Sequence, residues 1–497
     1  MASMSESLYR SIVSVWRTLR SMRTALILLL VVAVASIFGS LIPQVGVARG
    51  AVLRMYADHP TRAQVYETLG LFDVYGSWWF TTTYVLLLIS LASCLIPRTR
   101  ALRRGLGMRP QALRDLGGMR HFVEATVHGP PERVLQHARA VLRRRRFRVA
   151  TVEPGLSAEK GLARETGSLL FHWSLFLLLV GAVYGKGFGF TGQATVVEGA
   201  TWIETHAAYD LPPDEGRFFD ESMHAGFGVR VEDFAATYHP SGLPRDFVSR
   251  VSLLDEGGAD LGEREVRVNG PLEHEGVKLY QLGYGWAPEI EVHFEDRLLV
   301  SEPVVFITRT PNDQRRPWQG VLKLPSLEPD IGVELRLLPD SVAWFAGAPM
   351  LEPRNPFLFF DVWQGDLRLE RAQSVFALDK TGLQPFGEEG GIGLGDSATL
   401  SNGVEITFKG LREYTQFLVK RDPGTGLMLI AALLVFAGLL PALYSSRRRV
   451  WVRASPAEPG ETRVQVAGFA LQRRAAFEDE FRSIASAVTS PTGELLR

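Results

Sequence analysis

The chain has 497 residues, of which 54 are Lys or Arg, 54 are Asp or Glu, 46% are hydrophobic and one is Cys. This length predicts roughly two to four domains, and the apolar fraction excludes a disordered chain. The zero net charge does not indicate a nucleic-acid-binding protein. The single Cys excludes an internal disulfide framework, a Cys-x-x-Cys redox pair and a metal site with two cysteine ligands.

Four long apolar runs predict a membrane protein. They cover residues 25–43, 80–97, 168–185 and 426–444, and none contains Asp, Glu, Lys or Arg. At 1.5 Å per residue, each run is long enough to cross a hydrocarbon core of about 30 Å. Arginines precede the first run, as in a signal peptide. It ends without a clean cleavage site, however, and we interpret it as a retained anchor.

The basic residues beside the spans predict their orientation. Segment 98–167 holds 16 basic and 6 acidic residues, whereas segment 186–425 holds 22 basic and 38 acidic residues. The positive-inside rule therefore places 1–24, 98–167 and 445–497 in the cytoplasm. The short loop 44–79 and the large domain 186–425 are then external, or periplasmic. Because no transit-like leader precedes the first span, we expect a multi-pass protein of a bacterial inner (plasma) membrane with both termini inside.

The inner segments carry three further predictions. Residues 5–20 place apolar side chains on one stripe, which favours an interfacial amphipathic helix over a flexible leader. Segment 98–167 reads as strand, helix and strand, and predicts a small cytoplasmic α/β unit, whereas 445–497 is assigned as a tail. The arginine run 143–146 is interpreted as a solvated, topology-setting face, with attraction of anionic lipid or a propionate-bearing ligand as the alternative.

The external segment 186–425 is predicted to be β-rich. Short alternating or β-branched runs are separated there by Gly, Pro, Asp and Asn, and no long helical period interrupts them. One or two sandwich-like domains are therefore expected. The predicted strands are 227–234, 247–254, 277–282, 289–294, 298–307, 332–338, 357–363 and 404–411. The fold class is thus a polytopic α-helical membrane protein with four transmembrane helices, a large external β-rich domain and a small cytoplasmic α/β unit.

His172 is the candidate functional residue, because within the four spans it is the only side chain that normally titrates near neutral pH. An ionisable group inside a membrane is costly and suggests function. Neutral imidazole also binds haem iron well. His172 lies about one turn, ~6 Å, from the cytoplasmic end of the third run, on a stripe with Leu175, Phe176, Leu179 and Val183. The alternative is a histidine that is hydrogen-bonded to a neighbouring helix.

The other histidines and Cys94 give weaker signals. His206, His224, His239, His274 and His293 are scattered through the external segment, without a metal-ligand spacing, and are predicted to be surface residues. Cys94, in the second run, is predicted to be a packed thiol. The motifs of P-loop NTPases, zincins and α/β-hydrolases are all missing from the sequence.

Short strings in a fixed order around the four spans carry a family resemblance. They are 21–25 with 39–44, the His172 span with 187–192, 268–272 with 276–281, and 414–424 with 447–451. In this combination the chain resembles the ResB (CcsB-type) family of System II cytochrome c biogenesis over nearly its full length. One departure from the family pattern is Gly270, where we expect a larger polar residue, often His. This departure weakens any proposal of an external haem ligand at that position.

The resemblance implies a subunit of a cytochrome c synthetase. Proteins of this kind pair with a CcsA/ResC-type membrane protein, export haem b and present it to the Cys-x-x-Cys-His motif of apocytochrome c. The partner's tryptophan-rich motif is missing here, so the chain would be part of a haem-lyase complex and is not expected to be catalytic alone. The resemblance makes His172 an axial ligand of the haem iron. Asp422 matches a position implicated in function, or it caps the fourth span.

Two other classes of function remain open. One is a transport-complex component that partners a separate ATPase and has an external partner-binding domain. The other is a membrane assembly factor that does not bind haem and only recruits the true haem protein. Neither class requires an intramembrane histidine.

Overall fold

The computed structural model describes residues 13–14, 16–108, 110–239, 244–308, 314–370 and 376–490. Contacts divide the chain into two compact units, Met1–Val183 with Gly424–Arg497 and Tyr184–Pro423. The predicted interfacial helix at 5–20 lies mostly outside the described residues. The helices are α1 (Met22–Leu41), α2 (Val45–Asp58), α3 (Pro60–Thr68), α4 (Trp78–Gly107), α5 (Pro131–Arg144), α6 (Ala163–Phe188), α7 (Ser341–Phe345), α8 (Thr425–Tyr444) and α9 (Arg474–Thr489).

Four of these helices, α1, α4, α6 and α8, are long and apolar enough to cross a membrane. This confirms the prediction of four candidate spans. Two helices are longer than their apolar runs, since α4 continues past Pro97 to Gly107 and α6 begins at Ala163. The added turns of α4 are rich in arginine, a good helix former, so this helix outlasts the hydrophobic run that revealed it.

Segment 44–79 was predicted as a short loop, but it is folded. It contains α2 and α3, and then a 3-10 turn at Leu71–Asp73. Val52, Ala63 and Phe72 from these three elements are buried together as a small core. Short polar-flanked helices of this kind lack a long apolar period, which is why the sequence did not reveal them.

The strands of the first unit are β1 (His121–His128), β2 (Arg148–Val152), β3 (Gly155–Lys160), β19 (Arg448–Pro456) and β20 (Glu461–Ala470). They form one antiparallel sheet in the order β1-β20-β19-β3-β2. Helices α5 and α9 bury Leu142, Phe477 and Phe481 against it. The segment 98–167 is therefore not a self-contained α/β unit, because β1 joins the other strands only through β20 and β19. Residues 445–497, assigned as a tail, complete this sheet.

The second unit, Tyr184–Pro423, is mainly β-structure. Its strands are β4 (Phe190–Val197), β5 (Thr201–Ile203), β6 (Asp214–Glu215), β7 (Gly228–Tyr238), β8 (Pro244–Leu254), β9 (Asp260–Arg267), β10 (Leu272–His274), β11 (Val277–Phe294), β12 (Arg297–Pro303), β13 (Trp318–Leu324), β14 (Asp330–Leu338), β15 (Phe357–Gly365), β16 (Leu383–Gly393), β17 (Ser397–Thr399) and β18 (Val404–Arg421). They form one seven-stranded and two four-stranded sheets. The prediction of a large β-rich region is confirmed.

A pair of 18-residue strands, β11 and β18, organises this unit. They pair along their whole length, and at about 3.3 Å per residue the ribbon is roughly 60 Å long. Near Leu279 and Phe417 it contributes to one core with β7 and β8, and near Ile290 and Phe408 it contributes to a second core with β13, β14 and β15. The two cores agree with one or two sandwich-like domains, but they share this ribbon.

The sequence predicted two strands, 277–282 and 289–294, where the structure has the single strand β11. The residues between them include Gly283, Gly285 and Pro288, which normally punctuate strands. Here the ladder continues through a register shift after Gln281. A Cβ at Gly285 would lie 2.4 Å from the Tyr414 ring, so this glycine admits an aromatic side chain from β18 and does not mark a turn.

Candidate functional site

His172 lies in the interior of α6, half-buried, nine residues after the helix begins. This corresponds to ~14 Å of rise from the start of the helix, which begins five residues before the uncharged run at Ser168, so the prediction of about one turn from the inner end of that run is unchanged. Its Nδ1 lies 2.6 Å from the Ser168 carbonyl oxygen. A carbonyl only accepts, so Nδ1 carries the proton and Nε2 keeps its lone pair. Within the described residues no hydrogen bond reaches Nε2, and this nitrogen can therefore ligate a metal.

Contacts on both sides of α6 fix the level of His172. On one side, Trp173 Nε1 donates to Thr99 Oγ1 of α4 at 2.9 Å. On the other, Gly167 and Gly438 let α6 and α8 approach closely, since a Cβ on Gly438 would lie 2.5 Å from the backbone nitrogen of Phe171. Small residues at such crossings are typical of helices packed in a membrane. The part of α6 that carries His172 is thus packed against both α4 and α8.

A cavity of about 680 Å³ lies one turn below His172, among α4, the start of α6 and the strands β19 and β20. Its size is in the usual range for ligand sites, about 300 to 1,000 Å³. His172 does not line it, but Ser168, which accepts the His172 hydrogen bond, does. The lining residues are Arg98, Ala101, Leu102, Gly105, Leu162, Arg164, Glu165, Ser168, Leu169, Arg447, Arg449, Phe469 and Leu471.

The cavity is positively charged. Arg447 pairs with Glu165 at 2.6 Å and with the buried Glu159 at 3.4 Å. Arg98 and Arg164 make no ion pair within the described part of the chain. In addition, Arg447 Nε is buried and has no hydrogen-bond partner there. Unpaired guanidinium groups beside an apolar wall suit an amphiphilic anion, since arginine binds carboxylates through two parallel hydrogen bonds.

The residues present fit haem as a ligand in three respects. Nε2 of His172 supplies a neutral nitrogen for iron. The arginines of the cavity supply partners for two propionates. The apolar macrocycle of haem could rest on half-buried apolar side chains that follow His172 along α6, which are Leu175, Phe176 and Leu179.

The arginine run that the sequence singled out as a possible ligand-binding face does not line the cavity. The predicted run 143–146 lies at the end of α5, where Arg145 donates to Ser483 in the described structure. Arg98 and Arg164 lie far apart in the sequence, and only the sheet and helix ends bring them near Arg447. Cys94, predicted as a packed thiol, is half-buried, and its Sγ lies 3.1 Å from the carbonyl oxygen of Arg20.

Asp422 lies between the end of β18 and the start of α8. Its carboxylate pairs with Lys420, with 3.2 Å between Oδ2 and Nζ. The residue at the N-cap position of α8 is Gly424, two residues further on. A role for Asp422 in function and a role as a helix cap both stay predictions.

The histidines of the external segment, His206 and His224 among them, were predicted to be scattered surface residues. This prediction was wrong for His224. The His224 side chain is only 4% exposed, and it lies beside His206 and Glu215. Their separation in sequence hid this arrangement, because loops bring them together and a ligand spacing along one element was the only signal available.

These features define a class of protein with four candidate membrane-spanning helices and a β-rich unit inserted between the third and the fourth. The profile of the ResB-like family matches residues 22–482, and the chain belongs to this family. It is 27% identical to a cytochrome c biogenesis protein CcsB of Thermosynechococcus vestitus over 95% of this chain and 96% of that protein. A CcsB protein of Gloeobacter violaceus is 26% identical, over 97% of this chain and 94% of its own length.

Proposed function

We propose that this protein is a subunit of a System II cytochrome c synthetase, in which it binds haem b through His172 during export. The observation that carries the proposal is that Nε2 of His172, inside a candidate span and one turn from an arginine-lined cavity, accepts no hydrogen bond from the part of the chain that the structure describes. Membership of the ResB-like family and the printed names of the relatives support the same role in cytochrome c biogenesis.

The haem would enter from the membrane side on which the cavity lies. Its propionates would pair with Arg98 and Arg164, and its iron would take His172 as one axial ligand. The second ligand would come from a CcsA/ResC-type membrane partner, because the four spans contain no other histidine. In this arrangement the chain positions haem and does not form the thioether bonds itself.

The proposed placement in the membrane is supported by the distribution of charge. The cavity, β19 and β20 would face the cytoplasm with both termini, and the acidic unit Tyr184–Pro423 would lie outside a bacterial inner membrane. Within the described residues, β9 pairs only with β8 among the named strands. An open edge of this kind can pair with an extended chain, so apocytochrome c is a suitable occupant.

The test is co-purification of the chain with its co-expressed partner, as wild type and as His172→Gly, read by the haem Soret band. We expect the variant to lose haem and added imidazole to restore it, because imidazole can occupy the space of the missing side chain and ligate the iron. The control is His128→Ala, which removes an exposed histidine of β1.

Three outcomes would contradict this proposal. An unchanged Soret band in His172→Gly would favour an assembly factor that recruits the true haem protein. Haem loss that imidazole does not reverse would assign His172 a packing role only. A complex that contains no haem even as wild type would favour a transport-complex component with an external partner-binding domain.

A further inference from the structure

A second group of ligand-type side chains lies in the loops of residues 204–224. His206 begins a 3-10 turn, Glu215 lies in β6, and His224 follows the turn Glu221–Met223. Glu215 Oε1 lies 2.7 Å from His206 Nδ1 and 3.2 Å from His224 Nε2. One donor atom from each of the three residues lies within 4.8 Å of the others. Two imidazoles and a carboxylate therefore converge on one point.

The spacing of these atoms is close to that of a tetrahedral zinc site. Zinc binds histidine nitrogen and carboxylate oxygen at about 2.0 to 2.2 Å, so two ligand atoms of a tetrahedral site are about 3.3 Å apart. The 3.2 Å between Glu215 Oε1 and His224 Nε2 is close to this separation. The 2.7 Å between Glu215 Oε1 and His206 Nδ1 is somewhat shorter. Small side-chain rotations would therefore admit the ion.

Glu204 orients His224 from behind. Its side chain is fully buried, and its Oε1 lies 2.5 Å from His224 Nδ1 and accepts from the Tyr209 hydroxyl at 2.7 Å. The other oxygen accepts the backbone N–H of Ala225. The carboxylate thus holds the His224 proton on Nδ1 and turns the Nε2 lone pair towards Glu215. A carboxylate behind a histidine is the usual support of a zinc ligand.

The surroundings are apolar on one side and open on the other. The rings of Phe190 and Phe219 lie 4.9 and 5.1 Å from the His224 ring, which is almost completely buried. His206 and Glu215 are 40% and 21% exposed, so a fourth position on the ion would be accessible to water or to a side chain of a partner. Three protein ligands with one open position are typical of zinc sites that do more than hold a fold together.

We propose that His206, Glu215 and His224 bind one divalent transition-metal ion of the zinc type, with Glu204 as the positioning residue behind His224. Two imidazole ligands favour zinc over calcium or magnesium, which prefer oxygen. The ion would tie together three loop segments that have little regular structure of their own. This site is independent of His172, so the proposal does not depend on haem binding.

The test is zinc binding to the full-length chain in detergent, after the metal has been stripped with a chelator and zinc has been added back. We expect one tightly held Zn²⁺ per wild-type chain by mass spectrometry of the metal, and none in His206→Gln or Glu215→Gln. Glu204→Gln should retain the site with about tenfold to hundredfold weaker affinity, as loss of a supporting carboxylate does. His293→Gln is the matched control, since His293 pairs with Glu291 elsewhere in the unit.

Cobalt and thermal melts complete the test. Co²⁺ in place of zinc should give the visible absorption of a tetrahedral site in wild type and in His293→Gln, but not in His206→Gln. Zinc should raise the melting temperature of the wild type and of His293→Gln, but not that of His206→Gln or Glu215→Gln, because an ion that binds the folded state stabilises it. Zinc content that is unchanged in His206→Gln and Glu215→Gln, or a folded wild type that retains no zinc, would overturn the proposal.

Discussion

The Nδ1 atom of His172 lies 2.6 Å from the carbonyl oxygen of Ser168, four residues earlier in α6. This contact joins the candidate haem ligand to the wall of the cavity, because Ser168 lines it. A hydrogen bond from Nδ1 to a carbonyl fixes the tautomer and makes the other nitrogen the ligand. The orientation of the His172 ring is therefore set by its own helix. The positive charge near the proposed haem comes from the arginines of the cavity.

The first prediction concerns Arg98 and Arg164 of the cavity, which make no ion pair within the described residues. Arg98→Gln and Arg164→Gln should each weaken haem retention about threefold to tenfold, because in the proposed site each would remove a charge-assisted hydrogen bond of roughly 0.7 to 1.4 kcal/mol to a propionate. Retention can be measured by titration of the purified complex with apomyoglobin as a haem acceptor. The wild-type rate of haem loss should rise with salt, and the two variants should respond less.

Arg103→Gln is the control for these variants. Arg103 is exposed on the same helix as Arg98 and does not line the cavity. Equal haem loss in all three variants would mean that general surface charge, and not the cavity, holds the haem.

The second prediction concerns the crossing of α6 and α8. In Gly438→Ala, the new Cβ would lie 2.5 Å from the Phe171 nitrogen and 2.9 Å from the Gly167 carbonyl oxygen, so the helices must separate. We expect a loss of about 1 to 3 kcal/mol in stability and a lower haem occupancy, since Phe171 precedes His172. Thermal unfolding in detergent, followed by circular dichroism, measures the first effect.

Gly426→Ala is a matched control on the same helix, because a Cβ there meets nothing within 4 Å. It should melt at the wild-type temperature or slightly above, since alanine favours a helix. A shared melting temperature for Gly438→Ala and Gly426→Ala would show that the close approach does not contribute to stability.

The spans and most strands could be predicted from the sequence because their signals are local. An uncharged run of about 18 residues reports a span without any tertiary information, and alternation reports a half-buried strand. The continuity of β11 could not be read in this way. Gly283, Gly285 and Pro288 look like breaks, yet pairing with β18 carries the strand through them.

The candidate site was predictable only where one residue was conspicuous by itself. His172 stands out as an ionisable group in an apolar run, whereas Arg98, Arg164 and Arg447 are ordinary arginines until the fold brings them together. His206 and His224 were missed for the same reason, since short loops and not a single helix face place them together. Constellations of distant residues require the tertiary structure.

The third prediction separates two roles of Asp422. Asp422→Asn retains an oxygen that can accept backbone hydrogen bonds, but it loses the charge that pairs with Lys420. We expect holocytochrome c yields to fall in Asp422→Asn as far as in Asp422→Ala, because the role implied by family resemblance needs a carboxylate. Haem-stained gels of a co-expressed cytochrome c measure this, with membrane levels of the chain as the control. A wild-type yield from Asp422→Asn, with a reduced yield from Asp422→Ala, would instead mean that Asp422 acts only as a helix cap.

The fourth prediction is a pH dependence of stability in the β-rich unit. Burial, followed by the nearby carboxylates of Glu198 and Asp233, raises the pKa of Glu413 to about 8 from its ordinary value of 4.5. Because the folded state favours the protonated acid, the stability from Glu413 is complete below pH 4.5 and is lost as the pH rises towards 8. Within this window the loss is about 1.4 kcal/mol per pH unit for one proton.

Glu413→Gln should remove this dependence, since glutamine has the shape of the protonated acid and does not ionise. Urea unfolding of the full chain in detergent at about pH 5 and about pH 8 measures it, with tryptophan fluorescence as the signal. Between these two values the wild type should lose more stability than the variant, and the exposed Glu263→Gln should behave like the wild type. Parallel losses in wild type and Glu413→Gln would show that Glu413 stays ionised in the folded protein and that other groups set the pH profile.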